Sequence, residues 1–206
     1  MKRILLTFTV FVAGLSVIAP DISAQDNSRA STRQERVEQW HKDMAEFRAR
    51  SEHDQQLHQL ADSLAGVQAM AAVQNQDFVL EAQQVTFRNG MTTFVNSTTN
   101  FISVKGNRAV VQISPSNFAS GPNGLGGVTV DGMITGQKIM VGNKGNLTFS
   151  FNVMGIGINA QVEIYLYPGS NSATATIYPN FNSNTVWLQG DLVPYENSNI
   201  IQGSTL

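Results

Sequence analysis

The sequence predicts an α+β protein: an N-terminal helical segment followed by an antiparallel β-barrel or β-sandwich of about eight to ten strands. Three observations predict it. Four stretches between 147 and 188 alternate apolar and polar residues with period two. Two apolar stripes at helical spacing lie between Val37 and Ala71. Near Asp77 the composition changes from Arg, Glu, Asp and Gln upstream to Asn, Ser, Thr, Gly and β-branched residues downstream.

The alternation also predicts registers. Leu147, Phe149, Phe151 and Val153 occupy odd positions, whereas Ile156, Ile158, Ala160, Val162, Ile164 and Leu166 occupy even ones. A connection with an even number of residues keeps both sets on one face. Gly155-Ile156 as a two-residue turn meets that condition and sets Val153 opposite Ile158 and Phe149 opposite Val162. A connection at 168–171 sets Leu166 against Ala173 and Ile164 against Ala175. Another at 179–184 sets Ile177 against Val186 and Ala175 against Leu188. The prediction is a four-stranded meander with one continuous apolar face.

In chain order, Lys2 and Arg3 precede an apolar run of about 15 residues, then Pro20 and Ile22-Ser23-Ala24. A basic start, a short apolar stretch and a small residue define a secretory signal, with cleavage expected between Ala24 and Gln25. The run is short of the roughly 20 residues needed to span a bilayer. Cysteine is absent, so the mature start lacks the residue a lipid anchor requires. The expected location is periplasmic or secreted, soluble and not lipid-anchored. Residues 25–31 read as a disordered leader, 32–76 as the helical segment, 77–194 as the β domain and 195–206 as a C-terminal tail.

Thr32 and Glu35 have the spacing of a capping box. Val37, Trp40, Met44 and Phe47 form one helical stripe, and Leu57, Leu60, Leu64, Val67 and Ala71 a second. Ser51-Glu52-His53-Asp54 breaks the phase between them, leaving open a helical hairpin or one long helix with a register change. Downstream, Asn89-Gly90 predicts a hairpin that returns Met91 to Val95 beside the first strand. Strands are also expected at 101–104, 109–113, 128–134 and 138–141, with turns at 105–107 and 142–145.

The net charge of −2, without a cluster of Lys or Arg, argues against a nucleic-acid partner. The glycine-rich loop at 120–127 leads into a strand and has no lysine, so it fails as a phosphate cradle. His41, His53 and His58 all lie in the helical segment, and the spacing of His53 and His58 does not make a zinc pair. No catalytic set, metal site or cofactor motif is therefore assigned.

The residues with a functional pattern are Glu163, Tyr165, Tyr178, Trp187 and Gln189. The registers put them, with Gln161, on the polar side of the meander. Rings offer flat apolar area and amides fix orientation, as a sugar- or peptide-binding face requires. The same rings equally suit cross-strand packing or a seat for the helical stripe.

Phe78-Val79-Leu80-Glu81-Ala82, Asn100-Phe101-Ile102-Ser103-Val104, Gly106-Asn107, Val111-Gln112, Asn143-Lys144-Gly145 and Leu188-Gln189-Gly190-Asp191-Leu192-Val193-Pro194 together resemble the domain-of-unknown-function family 4251 of Gram-negative envelope proteins. The similarity covers Leu57 to Val193 and departs from the family pattern at Ser114-Pro115-Ser116-Asn117-Phe118. The resemblance implies a periplasmic, β-rich, non-catalytic protein and assigns no ligand or site residue. The leading expectation is a non-enzymatic binding or envelope-associated module whose partner is a small molecule, a glycan or an envelope protein. The alternatives are a glycan hydrolase using Glu163 with Asp191 or another carboxylate, and an oligomer assembled through the N-terminal helix.

Overall fold

The structure, a computed structural model, describes residues 22–114, 127–155, 159–180 and 185–204, with side chains from residue 32 onward. Residues 1–21, where the secretory signal is expected, 115–126 with most of the glycine-rich loop, 156–158 with Ile156 and Ile158, and 181–184 lie outside the described residues. The chain divides into two compact units, Met1–His53 and Asp54–Leu206.

A single helix, α1 (Ile22–Gln74), carries both apolar stripes. No glycine or proline interrupts the sequence from Ile22 to Ala65, so nothing forces the hairpin alternative. The helix begins ten residues before Thr32, which therefore lies within it and does not start it; 25–31, read as a disordered leader, are helical. Gln76 ends the helical segment in the left-handed region at φ 53°, and its carbonyl accepts the Gly106 N–H at 2.8 Å.

Nine strands follow: β1 (Asp77–Phe87), β2 (Thr92–Phe94), β3 (Phe101–Lys105), β4 (Arg108–Ile113), β5 (Val128–Val141), β6 (Leu147–Gly155), β7 (Asn159–Leu166), β8 (Ser172–Pro179) and β9 (Val186–Pro194). Eight of them, β1 and β3 to β9, close into an antiparallel barrel because β1 pairs with both β3 and β9. The short β2 adds to the far half of β1, with Thr86 opposite Thr92. It returns through Arg88-Asn89-Gly90, with Gly90 at φ 80°.

Two bulges let the alternation survive closure. At Gln83 of β1, Ala82 and Val85 both remain inward although three residues apart. In β5, Gly136 and Gln137 stand opposite the single residue Phe151, with Gly136 at φ 65°. The two stretches expected at 128–134 and 138–141 are therefore one strand; beyond the bulge the odd positions Ile139 and Val141 stand opposite the inward residues Phe149 and Leu147 but are themselves exposed.

The predicted meander forms with its apolar side inward. β7 meets β8 with Leu166 opposite Ala173 and Ile164 opposite Ala175. β8 meets β9 with Ile177 opposite Val186 and Ala175 opposite Leu188. The β6–β7 register differs from the expectation by two residues: Val153 faces Ala160, Phe149 faces Ile164 and Phe151 faces Val162. Gly155 is not a turn residue, because β5 holds it in strand geometry against Gly132. Parity fixes which face a residue takes but leaves a shift by two undetected.

Inside the barrel, Phe78, Phe149, Phe151, Leu80, Leu147, Ile164 and Leu188 are fully buried. Phe149 packs against Phe78 edge to face at 5.9 Å and against Phe151 at 5.1 Å. The last turns of α1 add Ala69, Ala72 and Val73 to this cluster. Gly66 permits the approach: a Cβ there would lie 2.8 Å from the carbonyl oxygen of Ser170. Filling with apolar side chains inside and polar residues outside is the reverse of a membrane-spanning barrel. Among the described residues, no helix is long and apolar enough to cross a membrane.

Candidate functional site

Alternation along β7, β8 and β9 turns a second set of side chains outward. On β7 these are Gln161, Glu163 and Tyr165, followed by Tyr167 just past the strand; on β8, Ser172, Thr174, Thr176 and Tyr178; on β9, Trp187, Gln189 and Asp191. Register makes their neighbours explicit. Thr176 lies between Glu163 and Trp187, and Thr174 lies between Tyr165 and Gln189. Tyr178 stands opposite Gln161 at one end. All five residues singled out from the sequence therefore share one outer surface.

The surface has relief. Thr174 and Thr176 are half-buried and form a low floor along β8. Longer side chains on β7 and β9 rise on either side, the two strands being roughly 10 Å apart across β8. Tyr165 (36% exposed), Tyr178 (44%) and Trp187 (37%) each keep a ring edge or face available to solvent. Leu57, Leu60 and Leu64 of α1 are themselves more than half exposed, so they do not cover Tyr178 and Trp187.

Tyr167 belongs to this surface and was not anticipated. Its ring meets Tyr165 edge-on at 5.0 Å, and its hydroxyl lies 3.2 Å from Thr174 Oγ1. These contacts hold two rings in a fixed arrangement beside the floor. The sequence signal was present, since Tyr167 continues the odd-numbered outward set beyond Leu166. Phe94, 81% exposed on β2, extends the row that runs through Gln84, Gln189, Thr174 and Tyr165.

The Glu163–Asp191 pair of the hydrolase alternative is not brought together. Asp191 faces Ser172, four residues along β8 from the Thr176 that faces Glu163. Two strand spacings and four residue rises separate the carboxylates by roughly 16 Å, beyond the roughly 5–9.5 Å that glycoside hydrolysis uses. Asp191 instead accepts from Gln83 Nε2 at 2.7 Å and Ser172 Oγ at 3.5 Å. It lies opposite Glu81, whose Oε1 accepts the Asn199 N–H at 3.2 Å. His41, His53 and His58 are exposed on α1. Among the described residues, no three His, Asp or Glu side chains gather as metal ligands.

Around the barrel, the C-terminal tail covers another part of the outer wall. Val79, Phe101 and Val110 form a second buried cluster beneath Val193, Tyr195 and Ile200. Gln112, fully buried there, donates to the carbonyls of Thr99 and Ile201, both at 2.9 Å. Its Oε1 accepts from Thr129 Oγ1 at 3.0 Å and from the Gly203 N–H at 2.8 Å. Nearby, Arg108 Nε donates to Asp131 at 2.7 Å, and Gln202 Nε2 donates to the other carboxylate oxygen at 3.1 Å. The Arg108 hydrogen bond is the main reason the Asp131 carboxyl is held below its ordinary value of 3.8; partial burial opposes it.

Fold and surface together define a closed, side-chain-filled antiparallel barrel with a helix at its N-terminal side and a ring-and-amide outer face. The profile of the family described as "Domain of unknown function (DUF4251)" matches residues 62–192, and the chain belongs to that family. It is similar to a DUF4251 family protein from Bacteroides eggerthii, known from a crystal structure at 1.95 Å, with 50% sequence identity and a TM-score of 0.60. The match covers 68% of this chain and 95% of that one. Among curated proteins none matches at a significant level.

Proposed function

We propose that this protein is a non-enzymatic binding module of the bacterial periplasm or exterior, and that it binds through the outer face of β7, β8 and β9. The single observation that carries this reading is the uncovered set of Glu163, Tyr165, Tyr178, Trp187 and Gln189 around the Thr174–Thr176 floor. Rings that stay partly exposed while neighbouring amides and a carboxylate point the same way are what an orienting contact surface requires. The periplasmic or secreted location rests on the basic start, short apolar run and small residues before Gln25.

Two measurements test this. N-terminal sequencing of protein recovered from the periplasm should begin at Gln25; recovery with Met1 retained rejects the export reading. For the face, Trp40→Phe leaves Trp187 as the sole indole. Its emission should shift with a ligand from a panel of oligosaccharides and peptides, and Tyr165→Ala should abolish the shift. Binding that maps to α1 or to the C-terminal tail rejects the assignment.

One observation favours a second reading, self-association through α1. Leu57, Leu60, Leu64 and Val67 recur at three- and four-residue spacing and are 52–66% exposed, more apolar surface on one stripe than a solvated helix needs. Sedimentation of the full mature chain and of its Leu60→Lys/Leu64→Lys variant tests it. A wild-type monomer at all concentrations removes the idea.

A further inference from the structure

We propose that the trough over β8 binds a linear, uncharged polysaccharide laid along the strand. This rests on the binding reading above and adds the ligand class.

The shape argument comes first. The floor of Thr174 and Thr176 is one strand wide, and its walls stand on β7 and β9, roughly 10 Å apart. From Ser172 to Thr176 it runs roughly 14 Å along β8, and the ring of Tyr178 stands at its end. A narrow row of short side chains flanked by longer ones, open to solvent along its length, suits an extended chain of repeating units better than a compact small molecule, which needs enclosure on most sides.

Hydrogen bonding then separates a glycan from a peptide. An extended peptide brings an N–H and a C=O at every residue, and proteins that bind one usually offer an open strand edge to pair with them. Here β8 is paired along both sides, to β7 and to β9, so its backbone groups are already engaged. The trough offers side chains instead: hydroxyls from Ser172, Thr174 and Thr176, amides from Gln161 and Gln189, and the Glu163 carboxylate. Hydroxyl groups of a sugar act both as donors and as acceptors and match that mixture. The C–H faces of pyranose rings match Tyr165, Tyr167, Tyr178 and Trp187, which offer flat apolar area.

Charge narrows the class further. The outward residues of β7, β8 and β9 include the carboxylates Glu163 and Asp191, and these strands contain neither lysine nor arginine. An anionic polymer laid along these strands would meet two like charges and no counter-charge on them; Lys144, which lines a pocket with Tyr167, lies beyond their end. Preorganisation supports the same ligand. The Tyr165–Tyr167 edge contact and the Tyr167–Thr174 hydrogen bond fix rings beside the floor before anything binds, reducing the ordering cost that weakens shallow sites.

The test is affinity electrophoresis of the full mature chain in native gels. The gels contain neutral polymers (xyloglucan, galactomannan or soluble starch) or anionic ones (polygalacturonate or heparin). At least one neutral polymer should retard the protein, and neither anionic polymer should. Trp187→Ala and Tyr165→Ala should each weaken that retardation about tenfold or more, and Thr176→Arg, which raises the floor, should abolish it. Thermal unfolding of each variant confirms that it folds. Retardation by none of the neutral polymers overturns the proposal. If only anionic polymers retard the chain, or only peptides shift Trp187 emission, and Trp187→Ala removes the effect, the ligand class is wrong while the face stands. If a neutral polymer retards wild type and all three variants alike, the face itself is wrong.

Discussion

Gln112 and Ile201, 89 residues apart, are joined where the side-chain amide of the first donates to the backbone carbonyl of the second at 2.9 Å. The same side chain accepts from Gly203, so one buried amide grips two points of the tail. Replacing it with leucine roughly keeps the volume but removes the amide that the Thr99 and Ile201 carbonyls and the Gly203 N–H bond to. Gln112→Leu should cost about 1–3 kcal/mol, read by urea denaturation, and should expose the chain after Pro194 to carboxypeptidase. A tail that stays protected in the variant contradicts the clamp.

The inward and outward sets of the meander should respond oppositely to truncation. Phe149→Ala removes a fully buried ring wedged between Phe78 and Phe151 and should cost about 3–5 kcal/mol. Trp187→Ala, on the outer side, should stay within about 1 kcal/mol of wild type. Equal losses at the two positions would show that Trp187 is part of the core.

At Gly66 two effects of opposite sign compete. Alanine raises helix propensity by about 0.8–1.0 kcal/mol, but its Cβ would lie 2.8 and 2.9 Å from the backbone oxygen and nitrogen of Ser170. Backbone cannot rotate away as a side-chain tip can, so the steric term, typically about 1–3 kcal/mol, should win. Gly66→Ala is expected to lower the denaturation midpoint. A rise would mean that α1 and the β7–β8 turn separate freely.

Acid sensitivity should concentrate at Asp131. Its folded-state value is depressed, so the stability it contributes is fully present above the ordinary 3.8 and is lost as pH falls through the lower folded value. Between pH 5 and pH 2, wild-type stability should therefore fall more steeply than that of Asp131→Asn, which has no such proton to take up. Parallel curves in an acid titration followed by circular dichroism would remove the Arg108–Asp131–Gln202 group from any role in holding the tail.

The architecture was legible in proportion to how local its determinants are. Alternation in β7, β8 and β9 identified the inward residues and two of the three meander registers, and it sent Glu163, Tyr165, Tyr178, Trp187 and Gln189 outward. The β6–β7 register was misread because parity is indifferent to a shift of two, and the constraint that holds Gly155 is its partner Gly132 on another strand. Closure through β1 and β9 depends on a bulge at Gln83 that no local pattern announces. Gln112 was invisible for a similar reason: a glutamine in a strand reads as solvent-facing, and only the tail, more than 80 residues later, makes it interior. Tyr167 was missed because it lies one residue beyond the strand, which ends at Leu166, yet keeps the outward phase of the strand before it.

Because phenylalanine and leucine side chains occupy the barrel's centre, this molecule is no container: anything it holds must rest on its exterior. Truncating an outward side chain on β7 to β9 therefore leaves that interior filled, so the chemistry of the wall can change without repacking what lies behind it.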